Sequence, residues 1–281
     1  LDDDEYPLAV TKSKDYCLWS GQQVMLSHLL EIPNADYTNG LHCGYISPIP
    51  QISFDEHFAE EDFRDLIGAI SNDILNWDSM RQLMRSGGVT YASTDVLMKR
   101  QSREVPEINR CKFISGANLC INLTKPERTF PFFNPPGARG EDTFLSTMLR
   151  DRTVLEIPCY AFHDGFSSYK SILNGALPLE LAPITADSNG IVTRFLNACR
   201  GWVRYKPLLV YLTKPEGYEE EIASMRSTLT RVLPKLAAHY KNEEFLTILN
   251  ELEEYHRNVK KHYKQFQLAQ ATWNKLIDTI Q

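Results

Sequence analysis

A chain of 281 residues with 43% hydrophobic and 23% charged side chains has enough apolar mass for one large core or two smaller ones, which excludes a disordered polymer. Its net charge of -6 excludes a protein built mainly to hold nucleic acid, which needs a net basic face. No run of about 18 apolar residues is present, so no membrane span is predicted, and six dispersed cysteines without a C-x-x-C pair predict reduced thiols in a cytoplasmic protein.

The chain opens on Leu1 and the string Asp2-Asp3-Asp4-Glu5, which reads as the end of an apolar strand with carboxylates projecting from a sheet edge. Alternate residues of an extended chain point the same way, so Asp2 and Asp4 can share one hard cation through oxygen ligands. The plainer alternative is a solvated acidic terminus. Residues 40–50 predict a strand closed by Pro48 and Pro50. Phe63, Leu66, Ile67, Ile70, Ile74, Leu75 and Trp77 recur at helical spacing and predict a helix over 62–84, stopped by Gly87-Gly88.

Further on, 112–123 predicts a strand broken by a turn at Gly116, and 130–139 is a loop rich in Pro and Phe. A helix starts at Glu141-Asp142, where carboxylates suit the positive end of the helix dipole. The short strand 154–158 then leads toward His163. After about residue 170 helices are predicted over 191–204, 219–240 and 243–280. The last carries a heptad-like stripe interrupted by His256 and Gln270, suited to packing on 219–240 or to a homo-oligomer. His28, His42, His57, His239, His256 and His262 read as structural or surface residues.

Taken in order, Asp2-Asp3-Asp4, then Ser115-Gly116-Ala117-Asn118, then Arg139-Gly140-Glu141-Asp142, then a strand and His163, resemble the catalytic half of the inverting GT-A glycosyltransferases of the family 2 type. The resemblance covers roughly residues 1–170 and starts at the DXD motif. It implies an α/β, Rossmann-like fold for 1–170, followed by a helical C-terminal region over 171–281. The family's nucleotide-binding part would precede the aspartates and is expected to be absent from this stretch; the missing initiator Met predicts a longer parent chain.

The roles that follow are those the resemblance implies. Asp2, Asp4 and His163 would hold Mn²⁺ or Mg²⁺, and Asp142 would be the base that takes the acceptor proton. Asp3, Gly116, Ala117, Asn118, Arg139 and Glu141 would contact donor or acceptor. The partners implied are a UDP-linked nucleotide sugar and a saccharide or lipid-linked acceptor of polysaccharide biosynthesis, met at the inner face of a membrane. The competing expectation is a degenerate, non-catalytic transferase domain that serves assembly through its C-terminal helices.

Overall fold

The computed structural model describes residues 21–43, 48–71, 101–162 and 190–280. It is a mixed α/β chain in which a small four-stranded sheet is followed by a helical C-terminal region. The elements that build the sheet and its cover are α1 (Gly21–Glu31), β1 (Tyr37–Cys43), α2 (Glu60–Ile70), β2 (Arg103–Glu104), β3 (Leu119–Ile121), α3 (Glu141–Met148) and β4 (Val154–Phe162). The helical region comprises α4 (Ile191–Thr213), α5 (Tyr218–Tyr240), α6 (Thr247–Arg257) and α7 (Val259–Ile280).

The strands lie in the order β2-β4-β1-β3. The central pair, β1 and β4, is parallel, and both edge strands run antiparallel to their neighbours. Tyr37, Val154, Ile114, Leu145 and Leu149 bury one side of this sheet beneath α3. Beside them Asp36, 3% exposed, accepts hydrogen bonds from Arg128 at 2.5 and 2.7 Å and from the Thr153 N–H at 2.8 Å. Burial alone would raise this carboxyl, but the hydrogen bonds and the charge of Arg128 hold it below the ordinary aspartate range. α1 packs on β1 and β4 and leaves Met25, Leu26, Leu29 and Leu30 facing outward.

Helix α2 precedes residue 170 yet packs with the helices that follow it. Phe63, Leu66, Ile67 and Ile70 share one apolar core with Phe195, Leu229, Leu236, Phe245 and Leu252. Asp62 ties α2 to α5 through Lys235 at 2.8 Å and Arg231 at 2.9 Å, and accepts the Ala59 N–H at 3.1 Å. A smaller cluster of Phe144, Tyr205, Leu208, Leu209 and Phe266 fastens α3 to α4 and α7.

Several boundaries differ from the sequence reading. The helix expected over 62–84 stops at Ile70, because Ser71 turns extended while its N–H caps the Ile67 carbonyl at 2.8 Å; residues 72–84 lie outside the described residues. The strand expected over 40–50 begins earlier, at Tyr37, and residues 48–50 are not part of it. Between 112 and 123 only Leu119–Ile121 pairs as a strand, after a 3-10 turn at Gly116–Asn118. β4 continues past Pro158 because that proline falls where the β1–β4 register shifts and the ladder is already interrupted. Likewise α4 runs through Pro207 to Thr213, and the predicted 243–280 helix is a 3-10 turn followed by α6 and α7.

Candidate active site

β3 runs antiparallel to β1 with Leu119 opposite Asn39, so the turn before β3 lies alongside the carboxyl-terminal half of β1, with Asn118 against Gly40. Asn39 of β1 fixes the turn from beneath: its amide donates to the Ser115 and Asn118 carbonyls at 2.8 and 2.9 Å, and its oxygen accepts the Ser115 N–H at 3.2 Å. The Ser115 hydroxyl accepts the Ala117 N–H at 3.3 Å and closes the turn. Gly116 and Ala117 are thereby presented outward, whereas Asn118 is 5% exposed.

The Asn118 side chain belongs to a buried polar network. Its oxygen lies 2.8 Å from His28 Nε2, and its amide nitrogen lies 3.7 Å from Cys159 Sγ. His28 Nδ1 lies 2.6 Å from the Thr38 hydroxyl. Since the Asn118 oxygen can only accept, His28 carries its proton on Nε2, and Thr38 donates to Nδ1. Cys159, His28 and Asn118 together suggest a thiol nucleophile, with Sγ 3.9 Å from His28 Nε2. Burial excludes it: Cys159 is fully buried and its thiol is pushed up to about 11, so it stays protonated at neutral pH. The network is a brace for the turn.

Gly40 makes this brace possible. A Cβ there would lie 2.1 Å from the Asn118 amide nitrogen and 2.7 Å from Cys159 Sγ. Sequence reasoning read His28 as structural, as it is, but gave it no partner and passed over Asn39 and the role of Gly40. The partners of His28 are 10, 90 and 131 residues away, and no local pattern marks them.

Facing the turn stands Asp142, in the first turn of α3. One of its oxygens accepts the Gly116 N–H at 3.2 Å and the other the Thr143 N–H at 2.8 Å. A carboxylate has about four acceptor positions, so a half-buried Asp142 held by two amides keeps lone pairs for a third partner. A Cβ on Gly116 would touch Asp142 at 3.4 Å. Glu141 is exposed and its carboxylate accepts the Gly140 N–H at 3.3 Å.

The loop leading into Asp142 is held from the helical region. Arg204 donates to the Gly137 carbonyl at 2.9 Å, the Tyr255 hydroxyl donates to the Pro136 carbonyl, and the Arg139 N–H donates to the Gly201 carbonyl at 3.2 Å. Gly140 adopts φ +125° directly against the Tyr205 ring, a conformation that an L side chain resists and a space it would overfill. The Arg139 stem lies on Gly201, and its guanidinium makes no hydrogen bond or ion pair among the described residues.

The structure thus brings Asp142 against Gly116, with Asn118 buried beneath the turn and Ala117 exposed beside it; Glu141 is exposed next to Asp142 in the chain, and the Arg139 stem lies on Gly201 of the helical region. Asp2, Asp3, Asp4 and His163 lie outside the described residues. β4 ends at Phe162, the residue before His163 in the chain. Among the described residues no group of three or more His, Cys, Asp or Glu side chains is placed to hold a metal ion, and no helix is long and apolar enough to cross a membrane.

His28, His239 and His262 all have their pKa lowered, chiefly by burial. The unfolded chain takes up protons below about pH 6.5 that the folded chain refuses, so stability falls as pH drops through that value. Asp36 and Asp62, whose pKa values are depressed, add a second loss below about pH 4. Denaturant midpoints measured at about pH 7.5, 6 and 5 are expected to descend, and less steeply in His28→Gln. A flat profile across that range would contradict the burial of these rings.

Comparison with protein-family models, with curated proteins and with solved structures returned no match.

Proposed function

We propose that the protein is a metal-dependent inverting glycosyltransferase with a GT-A catalytic half, moving a hexose from a nucleotide sugar to a saccharide or lipid-linked acceptor. The observation that carries the reading is the Asp142 carboxylate, gripped by the Gly116 and Thr143 amides at a turn beside the carboxyl-terminal half of β1. Inverting transfer needs one base aimed at an acceptor hydroxyl on the face opposite the leaving group. A carboxylate fixed by amides rather than by a cation keeps its charge available for that proton.

In this reading the outward Gly116–Ala117 backbone bounds the sugar, Glu141 takes a hydroxyl, and the exposed Arg139 holds a phosphate or carboxylate group. Asn118, His28 and Asn39 set the height of the turn. Asp2, Asp4 and His163 are a chemically suitable donor set for Mn²⁺ or Mg²⁺, with Asp3 turned toward sugar or ribose. Such an ion neutralises the charge of a leaving diphosphate.

Full-length protein is to be assayed for release of UDP from a panel of UDP-sugars. Turnover is expected to vanish on chelation and to return with Mn²⁺ or Mg²⁺. Full activity in chelator would remove the metal role, and absence of turnover with every donor would favour the non-catalytic assembly module instead.

A further inference from the structure

Helix α7 packs one face into the molecule through Val259, His262, Phe266 and Ile277, all buried. Its opposite face is basic. Lys260, Lys261, Lys264 and Lys275 are exposed at helical spacing, Arg257 of α6 precedes them, and Asp278 is the sole carboxylate in α7. None of these five cations makes an ion pair among the described residues. Their neighbours differ: Arg200, Arg204, Arg226, Arg231 and Lys235 each meet a carboxylate. On a chain of net charge -6, five exposed cations thus stand along one line, with Asp278 the one carboxylate of α7 near them.

We propose that this face is a docking surface for a membrane containing anionic phospholipid. From Arg257 to Lys275 the line runs for about 27 Å at helical rise, longer than any single soluble anion and suited to a plane of phosphates. Lys260, Lys261, Lys264, Gln265 and Leu268 line a groove of ≈ 370 Å³. Leu268, 66% exposed among the lysines, adds an apolar contact at the acyl boundary. Lysines are point charges without the planar fork that reads one carboxylate geometry, so the face selects charge density rather than an acidic peptide of defined shape. Each such cation near an anionic surface raises partitioning by about fivefold, and the effect fades with salt.

The test is co-sedimentation of the full-length protein with vesicles of phosphatidylcholine alone or with about one third phosphatidylglycerol, at about 0.1 M salt. Binding is expected only to the anionic vesicles, with release at about 0.5 M salt. The Lys260→Glu/Lys261→Glu/Lys264→Glu variant is expected to bind at least about tenfold more weakly, with an unchanged thermal midpoint because the three side chains are exposed. Equal binding to both vesicle types, no binding to the anionic ones, or an unimpaired variant would overturn the proposal. Two further results would also overturn it: displacement by inorganic phosphate at constant ionic strength, which marks a soluble-anion site, and preference for a polyglutamate peptide over vesicles, which marks an acidic protein partner.

Discussion

Asp142→Asn is expected to lower kcat/KM for sugar transfer by about 10²–10⁴-fold, the range supplied by a positioned general base. The substitution keeps size and shape while removing the proton acceptor. Its structural cost is small and calculable. Asp142 accepts one backbone N–H on each oxygen, whereas asparagine has a single oxygen and satisfies one of them. The lost charge-assisted bond is worth about 1.5–3 kcal/mol before relaxation, and water reaches this half-buried group to recover part of it. Circular dichroism should therefore be unchanged, donor KM little affected, and kcat the parameter that falls. Glu141→Gln, one position earlier and exposed, serves as the comparison and should lose far less. Turnover at the wild-type rate in Asp142→Asn would refute the assignment of the base.

Gly40→Ala carries the largest expected effect on stability, about 3–5 kcal/mol. The added methyl would stand 2.1 Å from the Asn118 amide and 2.7 Å from Cys159 Sγ, so something must shift. Moving Asn118 breaks its bond to His28 and strands a buried ring nitrogen, and moving Cys159 bends β4. Overpacking and unsatisfied burial thus add together. Gly217→Ala is the control, since nothing lies within 4 Å of its Cβ position, and it should change stability by less than about 1 kcal/mol. Chemical denaturation of the two variants separates the cases; equal midpoints would mean that the close approach at Gly40 is relieved without cost.

What the sequence made legible was local. The helix at Glu141, the punctuated turn at Gly116 and the helical C-terminal third follow from spacing and turn chemistry within a few residues, and the structure contains each of them. Two elements run longer than expected, each through a proline. Pro207 and Pro158 each argue for an element's end, yet α4 spans Pro207, buried within it, and β4 spans Pro158 at a register shift. In α4 tertiary packing outweighs the lost backbone hydrogen bond, whereas at Pro158 the ladder is already interrupted. The helix predicted over 62–84 ends at Ile70, and Ile74, Leu75 and Trp77 lie outside the described residues. Least legible was the brace beneath the turn. Asn39 is 76 residues from Ser115 and His28 is 90 from Asn118, and polar side chains paired across such separations leave no period to read.

The loop from 134 to 140 has a consequence for how this scaffold could be re-engineered. Its carbonyls and amide end on Arg204, Tyr255 and Gly201, all in the helical region. The sheet supplies Gly116, but the aim of Asp142 toward it is inherited from α4 and α6. A chimera that grafts residues 101–162 onto a foreign C-terminal partner would carry every proposed catalytic side chain of that segment and lose their alignment. Directed evolution for a new acceptor should accordingly find productive substitutions on those helices, at residues that never meet a sugar.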